Sequence, residues 1–344
     1  MAEALARRPG LPWSLRLFEA APRQPLWVAL GIACAYVLVW GAWFRVFEGY
    51  SGVQAVWGPG GWSETIIRGL LLGYTPALVW IGRRATARDL HALRPALQLS
   101  DGEFAALREK MMSIDRRALR LAGSVGAVAN VVILANAPDL FNPLGRWPEA
   151  PAGVLWDFGW MAGLGWLVFR ALAHDLRMAR ALSRIGEREA SLDLLDMRPL
   201  APLNRWGLRT VLLWAIWFAI ISLFWVGPVT NLGNALGVLP LLVVTVAALL
   251  LPVNGLRRRV RARKREELAQ VGEEIRRLRD EGIGVEPGDA RLANWIAYRS
   301  LIEAVHEWPF DVSTLLRFSL YVMLGAGSWL GAALVERVLD RALG

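Results

Sequence analysis

The chain carries few side chains whose types and spacing could do chemistry. Glu303 and His306 have the Glu-x-x-His spacing that places a carboxylate and an imidazole on one helix face, as in di-iron bundles. A di-iron site needs two such motifs and two further carboxylates, and this sequence contains one motif. The other histidines, His91 and His174, fall in separate predicted loops at the membrane surface. Surface histidines are therefore the simpler interpretation, and a three-histidine metal site is the alternative.

The sequence contains no known motif for a cofactor, a nucleotide or a zinc ion. The His-Glu-x-x-His motif, the phosphate-binding glycine loop and the nucleophile elbow are all missing. The single cysteine, Cys34, excludes an intrachain disulfide and a multi-cysteine metal site. We therefore predict no catalytic residue, no cofactor and no metal, and we expect that the protein is not an enzyme.

Five polar side chains lie inside long apolar runs and form a candidate intramembrane polar site. Glu64 and Arg68 are four residues apart, so they can pair on one helix face. Asp157 lies about one turn inside its own run, and a third run carries Asn130 and Asn136. A charge in hydrocarbon costs several kcal/mol unless it is paired, so such residues mark a substrate or ion path or neutralise one another. Self-neutralisation of the charges and helix packing by the amides are the simpler interpretations.

The elements that must position these side chains are long apolar segments. The chain of 344 residues is 55% hydrophobic, with a mean hydropathy of +0.35. A hydrocarbon core of about 30 Å requires about 20 apolar residues of helix. Seven runs meet this length, at 26–47, 64–82, 121–138, 152–172, 210–228, 233–252 and 314–335. The sequence therefore predicts an all-α, polytopic membrane protein with three hairpins and a terminal span.

The three hairpins recur with a period of about 90 residues, as judged from runs that begin near 26, 121 and 210. Two predicted inner loops share the pattern Ala-x-Asp-Leu-x-x-x-Arg, which runs from Ala87 to Arg94 and again from Ala173 to Arg180. Internal duplication is common in transporters, and these repeats would be parallel. Chance resemblance between two helices rich in Arg, Ala and Leu explains the pattern equally well.

The distribution of basic residues predicts the orientation of the chain. Of 39 Lys and Arg residues, 32 fall in the N-terminal segment and in three loops on one side of the membrane, against three on the other side. The positive-inside rule then places the N-terminus in the cytoplasm. We further expect that the membrane is the inner membrane of a bacterium. The predicted regions are a cytoplasmic N-terminal segment at 1–25, a six-span domain at 26–252, basic amphipathic cytoplasmic helices at 253–313, and a terminal span with a short outer tail at 314–344.

Two pairs of glycines at four-residue spacing are candidate helix contacts. Gly159 and Gly163 lie in the fourth predicted span, and Gly327 and Gly331 lie in the seventh. Small residues at this spacing let two membrane helices approach closely. We expect contact with another helix or subunit there, most strongly at the seventh span.

A polybasic run at 257–265 is the candidate contact for anionic lipid, since each basic residue near the surface contributes about 1 kcal/mol to such binding. Its simpler role is to fix the orientation of the sixth span. Nucleic acid is a poorer partner, because the spans hold this stretch against lipid headgroups. The basic residues are Arg257, Arg258, Arg259, Arg261, Arg263, Lys264 and Arg265.

These observations predict a non-enzymatic membrane component or scaffold that associates with a second copy or with another membrane protein. A transporter or channel that uses the intramembrane polar residues is the alternative. A membrane-embedded enzyme acting on lipid is the third hypothesis, and it rests on Glu303, His306 and Glu307, which form one acid–base cluster.

Overall fold

The structure is a computed structural model that describes residues 13–21, 24–47, 61–113, 115–135, 151–188, 193–196, 198–225, 232–281 and 290–305, with Leu316 and Leu320. All the regular elements in these ranges are helical, which confirms the all-α prediction for them. The α-helices are α1 Trp13–Ala20, α2 Pro25–Phe47, α3 Gly61–Leu93, α4 Asp101–Met112, α5 Arg116–Ala135, α6 Pro151–Arg188, α7 Ala201–Ser222, α8 Leu232–Asp280 and α9 Arg291–Ala304.

Five helical segments among the described residues are long and apolar enough to cross a membrane. They are Pro25–Phe47, Glu64–Ala96, Asp101–Ala135, Pro151–Glu187 and Arg198–Ser222. These segments contain or overlap the first five predicted spans. The sixth, 233–252, lies within α8, and the seventh, 314–335, lies outside the described residues apart from Leu316 and Leu320. The count of seven therefore stays a prediction.

The second helix of each predicted hairpin is longer than a bilayer requires. α3 has 33 residues and α6 has 38, which correspond to lengths of about 50 and 57 Å. α8 has 49 residues and continues through the polybasic run to Asp280. These helices continue into the predicted inner loops, so that 83–93 and 173–188 are helical. Both segments are rich in Arg, Ala and Leu, which favour helix.

Small residues set the antiparallel packing of the first two hairpins. Ala29 and Ala33 of α2 lie against Gly73 and Gly69 of α3, and a Cβ on Gly69 would be 2.9 Å from the Ala33 carbonyl oxygen. Further along the chain, α5 and α6 also pack closely through small residues. The backbones approach closely because these positions carry little or no side chain.

α7 lies against α3 through hydrogen bonds from large aromatic side chains. The indole of Trp217 donates to Thr75 Oγ1 at 3.0 Å, and the indole of Trp206 donates to Thr86 Oγ1 at 2.9 Å. Both bonds are buried. Each bond satisfies an N–H group that would otherwise be costly to bury.

Two hydrophobic clusters follow each other along the bundle. The span core joins α3, α6 and α7, and its buried members are Ile67, Leu71, Tyr74, Leu78, Trp160, Leu164, Val168, Ala171, Leu213, Trp214 and Trp217. The basic-end core adds side chains from α4, α8 and α9. Its members include Leu90, Leu93, Phe104, Met111, Met178, Leu182, Ile185, Trp206, Val260, Val271 and Ile302.

α2 and α5 present exposed apolar faces. On α5, Leu121, Val125, Val128 and Val132 are each more than half exposed, and their spacing of four, three and four places them on one helix face. Such a continuous face is unusual in water and suits contact with lipid chains.

Candidate functional site

Arg68 is the centre of a buried ionic cluster formed within the first two turns of α3 and α6. Arg68 Nη1 donates to Asp157 Oδ1 at 2.5 Å, and Arg68 Nη2 donates to Glu64 Oε1. The Arg68 and Asp157 side chains are 7% and 9% exposed, whereas Glu64 is 40% exposed. One guanidinium therefore bridges two carboxylates from different helices. We call these three residues the Arg68 cluster.

Aromatic residues surround the Arg68 cluster. The guanidinium carbon of Arg68 lies 5.1 Å from the ring centroid of Trp160, within the range of a cation–π contact. The Trp160 indole donates to the backbone oxygen of Arg68 at 3.4 Å, and the Trp156 indole donates to the hydroxyl oxygen of Tyr36 at 2.9 Å. These contacts hold α2, α3 and α6 together around the charges.

A cleft of about 280 Å³ opens beside the Arg68 cluster. Trp40 is 8% exposed, and its indole N–H has no hydrogen-bond partner within the described residues. One turn below Arg68, Leu71 is fully buried in the span core, so the cleft is bounded there by packed apolar side chains. The cleft is lined by Trp40, Phe44, Glu64, Thr65, Arg68, Gly153 and Asp157.

Asn130 serves the contact between α5 and α6 and does not line the cleft. Its side-chain amide donates to the Met161 carbonyl oxygen at 3.3 Å. One turn away, Gly126 and Gly165 lie so close that a Cβ on either would clash with the backbone of the other. The structure thus brings together Glu64, Arg68 and Asp157 and leaves Asn130 apart. Asn136 lies outside the described residues.

The predicted contact glycines of α6 face open space. A Cβ built on Gly159 or Gly163 meets no described atom within 4 Å. Leu155, one turn before Gly159 on the same helix face, is 57% exposed. We call Leu155, Gly159 and Gly163 the open face of α6. Gly327 and Gly331 lie outside the described residues.

The polybasic run forms part of α8, and its side chains have different surroundings. Arg259 donates to the Glu187 carbonyl oxygen at 2.8 Å, and Arg263 pairs with Glu267 at 2.8 Å. Lys264 donates to the backbone of the segment that ends α9, at 2.7 and 2.8 Å. Arg257 is partly buried. Three exposed arginines are spaced three and four residues apart along one helix face: Arg258, Arg261 and Arg265.

A second ionic cluster, which the sequence analysis missed, lies toward the basic-end core. Arg209 of α7 donates to Asp89 of α3 at 2.7 Å, and the Trp214 indole donates to Asp175 of α6 at 2.8 Å. The repeated Ala-x-Asp-Leu pattern contains both aspartates and could have revealed them. We call these four residues the Arg209 cluster.

The histidines do not form a metal centre in the described part of the chain. No group of three or more metal-ligating side chains occurs there. His174 is buried, contrary to the surface position that we expected, and it lines a small cavity with Arg83 and Arg170. His91 is exposed, and Glu303 pairs with Arg299 at 2.8 Å. His306 and Glu307 lie outside the described residues.

No protein-family model, curated protein or solved structure matches this chain. The class of protein is therefore defined by the fold alone. The described residues form an all-helical protein with five helices long and apolar enough to cross a membrane.

Proposed function

We propose that this chain is a non-enzymatic scaffold of the bacterial inner membrane that associates with a second copy of itself through helix contacts. One observation carries the proposal. On α6, the glycine face against α5 is filled by a neighbouring helix, whereas no described residue covers the face with Gly159 and Gly163. The second face therefore has the geometry for a close contact that the described chain does not itself make.

The arrangement of the intramembrane charges supports a packed scaffold. Arg68 is bonded to Glu64 and Asp157, so its two terminal nitrogens serve charge neutralisation. Below the cluster, the span core consists of buried apolar and aromatic side chains. Polar groups that conduct a solute would instead be expected to line a cavity near the middle of the bilayer.

Self-association through the open face is favoured by its symmetry. Two copies of one helix can place the same glycine stripe against itself, which is the arrangement of a twofold interface. Leu155 would provide apolar contact area next to the two glycines. A different membrane protein that carries a small-residue helix is the other partner that this face could accept.

The exposed arginines of α8 support the proposed orientation and the proposed lipid contact. Arg258, Arg261 and Arg265 are exposed on one face of α8, next to a helix segment that packs into the basic-end core. With the N-terminus in the cytoplasm, these arginines would meet the anionic headgroups of the inner leaflet.

Transport is the second candidate function, and the cleft beside the Arg68 cluster is the observation that favours it. In that function, Glu64 and Asp157 would exchange Arg68 for a transported cation. The buried core below Arg68 argues for the scaffold, because the described helices would have to separate before a solute could pass.

Counting subunits in lipid tests the proposed function. Single-molecule photobleaching of the labelled full chain in vesicles should show dimers. Replacing Gly159 and Gly163 together by Leu should give monomers, because the side chains would hold the helices apart. Gly82→Leu is the matched control, because a Cβ on Gly82 also meets no described atom within 4 Å. A monomeric wild-type protein, or dimers that persist in the double variant, would contradict the proposal.

A further inference from the structure

The described side chains that line the cleft beside the Arg68 cluster do not balance in charge. Three of these described residues are ionisable, Glu64, Arg68 and Asp157, and their formal charges sum to −1. Arg45, which follows Phe44 in α2, is exposed and is not among the lining residues. Net charge is costly near hydrocarbon unless a counter-charge compensates it. Since Arg68 already binds both carboxylates, the excess lies with Glu64, the most exposed of the three.

The α2 wall of the cleft offers two further features of a binding site. The ring centroids of Trp40 and Phe44 lie 5.0 Å apart in an edge contact. The faces of aromatic rings attract organic cations. The Trp40 side chain is more than nine-tenths buried, and its N–H has no acceptor within the described residues. A buried donor of this kind needs an oxygen acceptor.

We propose that the cleft binds a ligand with an ammonium group next to an oxygen acceptor. The ammonium group lies between the Glu64 carboxylate and the rings of Trp40 and Phe44, and the oxygen accepts from the Trp40 indole. Ethanolamine derivatives have this chemistry. The ligand is either a free amino alcohol or the headgroup of phosphatidylethanolamine, because the cleft lies near the end of the bundle where α3 and α6 begin.

Calorimetry with soluble phosphoethanolamine tests the proposal on the full chain in phosphatidylglycerol nanodiscs, whose lipid carries no ammonium group. We expect saturable binding. Glu64→Gln and Trp40→Phe should each weaken it by about tenfold or more, because each removes a charge-assisted or buried hydrogen bond. Glu64→Asp should retain most of the affinity. Trp43→Phe is the matched control, because Trp43 lies on α2, donates to the Ala152 carbonyl oxygen and is not among the described residues that line the cleft.

A second arm identifies the source of the ligand. In nanodiscs that contain phosphatidylethanolamine, loss of phosphoethanolamine binding together with lipid retained in native mass spectrometry indicates the lipid headgroup. Unchanged binding of the soluble probe indicates a free amine. The proposal is overturned if the wild-type protein binds neither form. It is also overturned if folded Glu64→Gln and Trp40→Phe variants bind like the wild-type protein.

Discussion

Two faces of α6 carry glycines and differ in what covers them. On one face, Gly165 lies against Gly126 of α5, and the Asn130 amide crosses to the Met161 carbonyl oxygen. On the other face, Gly159 and Gly163 meet no described atom within 4 Å. The same residue type in the same helix therefore makes a close contact within the chain on one face, whereas no described helix covers it on the other.

This difference shows that glycine spacing indicates where helices can approach and does not identify the helix that approaches. Gly159 and Gly163 have the familiar four-residue spacing, yet α5 packs on Gly165 instead. A third face of α6 is fixed by charge, since Asp157 binds Arg68. The filled and charged faces should control the stability of the single chain, and the open face should control its association.

The largest expected loss of stability comes from removing the ion pair between Asp157 and Arg68. Asp157→Leu takes away the acceptor that binds Arg68 Nη1, a buried charged donor, so the free energy of unfolding should fall by about 3 kcal/mol. Equilibrium unfolding of the purified protein in mixed micelles measures this change. Glu187→Leu, at an exposed position near the other end of α6, is the control and should change stability by less than about 0.5 kcal/mol.

The double variant Arg68→Met with Asp157→Leu sharpens this test. Removing both charges leaves no buried arginine, so most of the lost stability should return. A double variant less stable than Asp157→Leu would show that Arg68 is needed for more than charge neutralisation.

The next largest effect should come from the filled glycine face. Gly126→Ala places a Cβ against the Gly165 carbonyl oxygen, and backbone cannot move aside as a flexible side chain can. We expect a loss of about 1–3 kcal/mol from overpacking. In contrast, Gly82→Ala should leave stability unchanged or raise it by up to about 1 kcal/mol, since alanine favours helix and meets open space. Equal losses in the two variants would refute the difference between filled and open positions.

The local features of this fold could be predicted from the sequence. Apolar runs of about 20 residues predicted the five candidate spans. The four-residue spacing of Glu64 and Arg68 predicted a pair on one helix face, and the structure contains that pair. Both predictions depend on residues that are close in the chain, where helix geometry alone fixes the distance.

Contacts between distant residues could not be predicted in this way. Asp157 reaches Arg68 across 89 positions of sequence, and Arg209 reaches Asp89 across 120. These pairs depend on which helices are neighbours and how each is rotated, and hydropathy does not specify either. The burial of Trp214, which donates to Asp175, has the same origin.

The smallest stability effect should come from the amide on the filled face. Asn130→Ala removes one hydrogen bond between α5 and α6, and such bonds in membranes contribute about 0.6 kcal/mol on average. The same unfolding measurement checks this value. A loss above about 3 kcal/mol would indicate that Asn130 belongs to a larger polar network than the bond to Met161.

Disulfide crosslinking in native membranes tests the central claim most directly. In a Cys34→Ala background, Gly159→Cys or Gly163→Cys should give a crosslinked dimer under mild oxidation, because the open faces of two copies would lie against each other. Gly82→Cys, at an equally open position on α3, should give none. Gly327→Cys and Gly331→Cys test the terminal span in the same membranes. Absence of dimer at both Gly159 and Gly163, or equal crosslinking at Gly82, would contradict association through the open face of α6.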